Sequence, residues 1–159
     1  MFEIKKNGEK ELEQILDSPN EATVWKKLKG IFIKDNQKVK LWCKNQRTGN
    51  IFGEYYDEFQ QEHRSYFDFI IKFENGNYLY LEVKGSDDKD INKSKTEMLK
   101  RAYEEYFKGN VLYAKNLVIC VVEVDGENIK KISPFYNQKQ FDDDLKTFDL
   151  EEVVMKLVV

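Results

Sequence analysis

The sequence predicts an α/β (α+β) fold in which helices flank a central mixed β-sheet. Three observations carry that expectation. Ser18-Pro19-Asn20-Glu21 has the form of a capping box with proline at the first helical position. YFDFIIKFENGNYLYLEVKG (66–85) sets two apolar, strand-like runs around an Asn-Gly turn. LVICVVEV (117–124) is almost continuously apolar, the pattern of a strand buried on both faces.

The elements follow in order. A helix is expected within 9–17 (EKELEQILD), and a second from Pro19 toward Leu28. VKLWCKN (39–45) alternates with period two, and RTGN turns the chain into a strand near 51–56. The hairpin of 66–85 comes next. Residues 90–108 read as a helix ended by Gly109-Asn110. After 117–124, Asp125-Gly126 turns the chain into IKKIS (129–133), and a last helix lies near 150–157. No repeat, low-complexity tract or proline-rich linker divides the chain, so 1–159 is read as a single domain.

A chain of 159 residues with 41% hydrophobic and 35% charged residues can build one core. No run approaches the roughly 18 apolar residues of a membrane helix, and MFEIKKNGEK lacks the apolar stretch of a signal peptide. The expectation is a soluble, cytoplasmic protein with no membrane partner. Cys43 and Cys120 fit no metal-ligand spacing, and His63 is the single histidine, which argues against zinc and for two free thiols.

The net charge of −3 is unevenly spread. Residues 24–47 carry eight Lys or Arg against one Asp, whereas 141–152 carry six acids against one Lys. Lys26, Lys27, Lys29, Lys40, Lys44 and Arg47, interleaved with Trp25, Phe32 and Trp42, have the makeup of a face that tracks phosphates. A solvated lysine-rich surface over core aromatics has the same composition.

The hairpin register decides which charges meet. With a two-residue Asn75-Gly76 loop, Asp68 would lie opposite Val83, on the other face from Glu82. With a three-residue loop, Glu74-Asn75-Gly76, Gly76 takes the left-handed position of a bulged turn and Asp68 meets Glu82, with Lys84 on the same face. Phe69, Ile71, Phe73, Leu79, Leu81 and Val83 then share the opposite face, so packing favours this register. Like charges directly opposite are unfavourable, and a divalent cation would remove that penalty. The acid-x-Lys spacing alone is unspecific: it occurs at Glu3-Lys5, Glu82-Lys84, Asp87-Lys89 and Asp144-Lys146. Only Glu82-Lys84 ends an apolar strand with a second acid on a hairpin partner.

Asp on one strand, a hairpin turn, then Glu-x-Lys on the next resembles the PD-(D/E)xK nuclease superfamily. The run from VKLWCKN through YFDFIIKF to YLYLEVKG is similar to the C-terminal endonuclease domain of type III restriction enzymes. The resemblance implies a restriction-endonuclease-like fold with an αβββαβ core. It also implies Mg²⁺ or Mn²⁺ held by Asp68, Glu82 and the main-chain carbonyl of Val83, with Lys84 orienting the attacking water. Phe67 stands where the family usually has proline. The family often places a Lys or Gln on the helix after the hairpin, which matches Lys95; Lys93 is the weaker match. Many members use a glutamate from a preceding helix, for which Glu21 is the choice and Glu13 the fallback.

The residues themselves agree with parts of this. Two acids and a lysine suffice for metal-assisted phosphodiester hydrolysis and poorly equip a site for acyl transfer. Lys95 falls in a stripe at helical spacing (Ile91, Met98, Leu99, Ala102, Tyr106), as a site lysine or as a snorkelling one. Glu21 also fits the capping box, and both readings stand. No Walker A pattern occurs in the chain, so it carries no ATP-driven motor of the type III kind. The expected partner is DNA, with helicase or modification subunits of a restriction system implied by the resemblance. The alternative is a catalytically silent nucleic-acid-binding or assembly module on the same fold.

Overall fold

The computed structural model describes residues 16–34, 38–45, 51–86, 90–109, 116–137 and 149–159. Most of the helix expected over 9–17 lies outside them, as do Glu13 and Arg47. Helix α1 (Pro19–Lys34) starts where the capping box puts it: the Glu21 N–H donates to Ser18 Oγ at 3.2 Å. The reciprocal bond differs, because Glu21 Oε2 accepts from the Asp17 N–H (3.2 Å). The helix runs past Leu28 to Lys34, burying Val24, Leu28, Ile31 and Phe32.

Strands β1 (Val39–Lys44), β4 (Phe69–Phe73) and β5 (Tyr78–Gly85) form an antiparallel meander, interrupted between β1 and β4 by β2 (Phe52–Tyr56) and β3 (Glu62–Tyr66). β2 and β3 pair with each other as a separate two-stranded sheet. β3 was not expected, since Glu62-His63-Arg64-Ser65-Tyr66 shows no apolar alternation; its register comes from β2 across the turn. Helix α2 (Asp90–Gly109) carries the chain over the sheet to β6 (Leu117–Asp125), which lies parallel to β5, as a crossover requires. β7 (Asn128–Tyr136) returns antiparallel, giving the order β1-β4-β5-β6-β7, and α3 (Leu150–Leu157) follows. A mixed α+β fold with a five-stranded mixed sheet flanked by helices is therefore observed.

One sheet face packs Phe69, Ile71, Phe73, Leu79, Leu81, Val118, Cys120 and Val122 against α1 and α3. The other packs Ile119 and Val121, with Phe67, against Leu99, Tyr103 and Phe107 of α2. β6 is thus buried on both faces, as its unbroken apolar run predicts. Cys43 and Cys120 are free thiols, and burial pushes the Cys120 thiol well above its ordinary range.

The α2 stripe needs correction. Among its described side chains the buried positions are Thr96, Leu99, Tyr103 and Phe107, while Lys95 is exposed and Tyr106 is 38% exposed; the Ile91 side chain lies outside those described. The helix is rotated toward the 99-103-107 face because three large side chains there fill the space under the sheet.

The hairpin adopts the three-residue loop. Phe73 N–H donates to Asn77 O (2.9 Å), Gly76 N–H to Phe73 O (3.1 Å), and Gly76 has φ +90°. Phe69 then pairs with Leu81 and Ile71 with Leu79, and the predicted apolar face is buried, Val83 partly. Asn75 and Asn77 each donate to the Leu157 carbonyl at 2.7 Å, tying the turn to the end of α3. Gly76→Ala forces a Cβ onto left-handed backbone and is expected to cost about 1 kcal/mol, lowering Tm by roughly 2–4 °C. A melting curve checks this, and an unchanged Tm refutes the strain.

Candidate active site

Asp68 sits in a bend one residue before β4. Its carbonyl accepts from the Asn45 N–H (2.8 Å), its N–H donates to Leu81 O (2.7 Å), and Oδ2 accepts from the Val83 N–H at 2.6 Å. The residue is thus fastened to both neighbours, and one further step of the Phe69–Leu81 pairing sets it across from Glu82. The Asp68 carboxyl is pushed up to about 7, first by burial and then by the charge of Glu82, with Glu21 adding to the effect. The Val83 N–H and Lys84 oppose the shift and lose.

Glu82 is 3% exposed. Its Oε1 accepts from Ser65 Oγ (2.7 Å) and lies 2.6 Å from Lys84 Nζ, while its Oε2 is buried with no hydrogen-bond partner among the described residues. Burial pulls the Lys84 ammonium down, but Glu82, Asp68 and Tyr55 outweigh it, and Lys84 is held above the usual lysine range. Asp68, Glu82 and Lys84 are therefore brought together, as the register predicts.

Glu21, 5% exposed, approaches from α1 and is close enough for its charge to act on Asp68. It shares Lys44 with Asp17: Lys44 Nζ lies 2.7 Å from Glu21 Oε2 and 2.6 Å from Asp17 Oδ2. These are ion pairs by distance rather than well-directed hydrogen bonds, since the nitrogen makes none of good geometry. Burial pulls Lys44 down, yet the two acids outweigh it and the net shift is upward. Glu21 thus neighbours the site and also helps hold the start of its helix.

Lys44 is an internal counter-ion here, which corrects its reading as a DNA contact. Of the others in that set, Lys26 and Lys40 are exposed, and Lys27 lies 3.8 Å from Glu151. Lys26, Lys27 and Lys29 line a groove of about 1260 Å³ between α1, the β6–β7 turn and α3 that contains none of Asp68, Glu82 or Lys84. The aromatics of that segment are core: Trp25 stacks on Trp42 at 3.6 Å, Phe32 is buried, and all three pack on the main cluster. Lys95 is exposed, and none of the contacts found around the carboxylates involves it.

Sequence reading missed Ser65 and Tyr103. Ser65 lies on the unexpected β3 and reaches Glu82 because the β2–β3 hairpin folds over this end of the sheet. Tyr103 is four residues after Leu99, a helical spacing that could have identified it. Lys100 bridges to Glu123, which pairs in register with Lys84 on β5.

Among the described residues no three His, Cys, Asp or Glu side chains form a ready metal cage. Asp68 and Glu82 supply two carboxylates, while Glu21 is engaged with Lys44. No helix among the described residues is long and apolar enough to cross a membrane. Comparisons with protein-family models, with curated proteins and with solved structures each find no match.

Proposed function

We propose that the chain is a metal-dependent deoxyribonuclease domain of restriction-endonuclease-like fold, hydrolysing DNA phosphodiester bonds. The observation that carries this is the meeting of Asp68, Glu82 and Lys84 at one end of the sheet, with Glu82 Oε2 unpartnered and Asp68 resisting ionisation beside it. Carboxylates so placed repel one another unless a cation lies between them. The order helix, three-stranded meander, crossover helix and parallel strand supports the same reading, with the β2–β3 hairpin as an insertion into an αβββαβ core.

The donor set fits a hard divalent cation, since Mg²⁺ binds through one or two carboxylates and completes its shell with water and phosphate. Asp68, Glu82 and the Val83 carbonyl would hold Mg²⁺ or Mn²⁺, which supplies Lewis-acid activation of water and neutralises charge on the phosphate. Lys84, kept charged by Glu82, orients the attacking water and places positive charge where the transition state becomes more negative. Ser65 fixes the Glu82 carboxylate, and the Val83 N–H fixes that of Asp68. Glu21 adds negative potential that favours cation binding.

The test is incubation of the full chain with supercoiled plasmid in Mg²⁺, in Mn²⁺ and in EDTA. Nicked or linear product is expected only with metal. Metal binding by calorimetry without any cleavage points instead to the silent module, and no metal binding discards the site.

A further inference from the structure

Tyr103 is 3% exposed on α2, and its ring is gripped on three sides. Phe67 stacks on it at 5.7 Å and Phe135 meets it edge-on at 5.8 Å. Gly53 of β2 approaches so closely that a Cβ there would lie 2.7 Å from Tyr103 Cε1 and 3.0 Å from the hydroxyl oxygen. Phe67, the departure from the family's proline, is thus one wall of the slot that aims this ring, and it immediately precedes Asp68.

The hydroxyl so aimed is buried and has no hydrogen-bond partner among the described residues. An unpaired buried hydroxyl is unfavourable, and a ligand that supplies the missing partner removes the penalty. Burial, then the charges of Glu82 and Asp68, then Tyr55, push the phenol well above its ordinary range. It keeps its proton and acts as a donor. Among the described residues neither carboxylate whose charge acts on it accepts its proton in a hydrogen bond, and an oxygen of a bound ligand would supply an acceptor.

We propose, resting on the nuclease reading, that Tyr103 is a further residue of the active site, whose Oη donates a hydrogen bond to a non-bridging oxygen of the bound phosphate. A phosphate oxygen has lone pairs to spare and gains charge as the bond to the attacking oxygen forms. The contact therefore strengthens in the transition state and acts on turnover more than on binding. No bond to Tyr103 is made or broken.

Tyr103→Phe keeps the ring against Gly53, Phe67 and Phe135 and removes only the hydroxyl. Its Tm is expected to equal or slightly exceed that of the wild type. Metal-dependent cleavage should fall by about 10²-fold in kcat with KM unchanged. A second readout does not depend on cutting. Full-length protein carrying ¹³Cζ-labelled tyrosine is titrated with inorganic phosphate in Mg²⁺, and the Tyr103 signal is assigned by its loss in Tyr103→Phe. A saturating shift upholds the contact even if the wild type cuts no DNA, in which case the nuclease reading alone falls. A Tyr103 signal that stays in place, or a Tyr103→Phe protein that cleaves at the wild-type rate, overturns the proposal.

Discussion

Glu82→Gln is expected to abolish metal-dependent cleavage while leaving the protein folded. The substitution keeps the side-chain shape and an oxygen able to accept from Ser65 Oγ and Lys84 Nζ, which now hold Oε1 at 2.7 and 2.6 Å. It replaces the unpartnered Oε2 with an amide that donates, which no cation accepts as a ligand. In the proposed mechanism several kcal/mol of transition-state stabilisation would depend on the metal, and about 1.4 kcal/mol is tenfold in rate, so the expected loss is roughly a thousandfold or more. Plasmid cleavage measures the rate, a melting curve the fold, and Mn²⁺ calorimetry the binding. A folded Glu82→Gln protein that cleaves like the wild type removes Glu82 from the mechanism. Lys84→Ala is a harsher change, because it also strands Glu82 in the interior without its counter-charge.

Asp68→Asn is expected to stabilise the metal-free protein at alkaline pH and to destroy its response to metal. In the folded state the Asp68 carboxyl titrates near 7 against an ordinary value of 3.8. Below about pH 4 both states are protonated and the wild type pays nothing. Between 4 and 7 the unfolded chain releases the proton and the folded one retains it, so wild-type stability falls as pH rises. Above 7 the loss is complete and constant. Asparagine never ionises and can still accept from the Val83 N–H, which Asp68 Oδ2 holds at 2.6 Å. The advantage of the variant therefore grows from pH 4 to 7 and reaches a few kcal/mol, on the order of 10 °C in Tm. Adding Mg²⁺ reverses the order: the wild type gains stability through binding and the variant does not. Melting curves at pH 5 and pH 8, each in EDTA and in Mg²⁺, contain the whole comparison. A variant no more stable than the wild type at pH 8 in EDTA shows that Asp68 carries no ionisation penalty.

The features legible in the chain are local. Ser18 and Glu21 announce the start of α1, the apolar run 117–124 announces a strand covered on both sides, and 150–157 is a helix as expected. The hairpin register was legible because a slip of one residue would have turned Phe69, Ile71, Phe73, Leu79 and Leu81 to the wrong face. With it came the proximity of Asp68, Glu82 and Lys84, since side chains two apart on paired strands share a face. Their surroundings come from packing between elements distant in the chain. Lys95 belongs to an apolar stripe by spacing, yet three bulky residues at 99, 103 and 107 rotate α2 and turn Lys95 to solvent. Lys44 belongs to a basic segment by composition, yet its strand places it between Asp17 and Glu21. Ser65 leaves no signature in the chain, and Tyr103 only its helical spacing from Leu99. Ser65 reaches Glu82, and Tyr103 comes within range of the carboxylate charges, because the β2–β3 hairpin and α2 close over the same end of the sheet, with Gly53 against Tyr103. A strand period encodes which face a side chain takes; which element covers that face depends on contacts between residues distant in sequence.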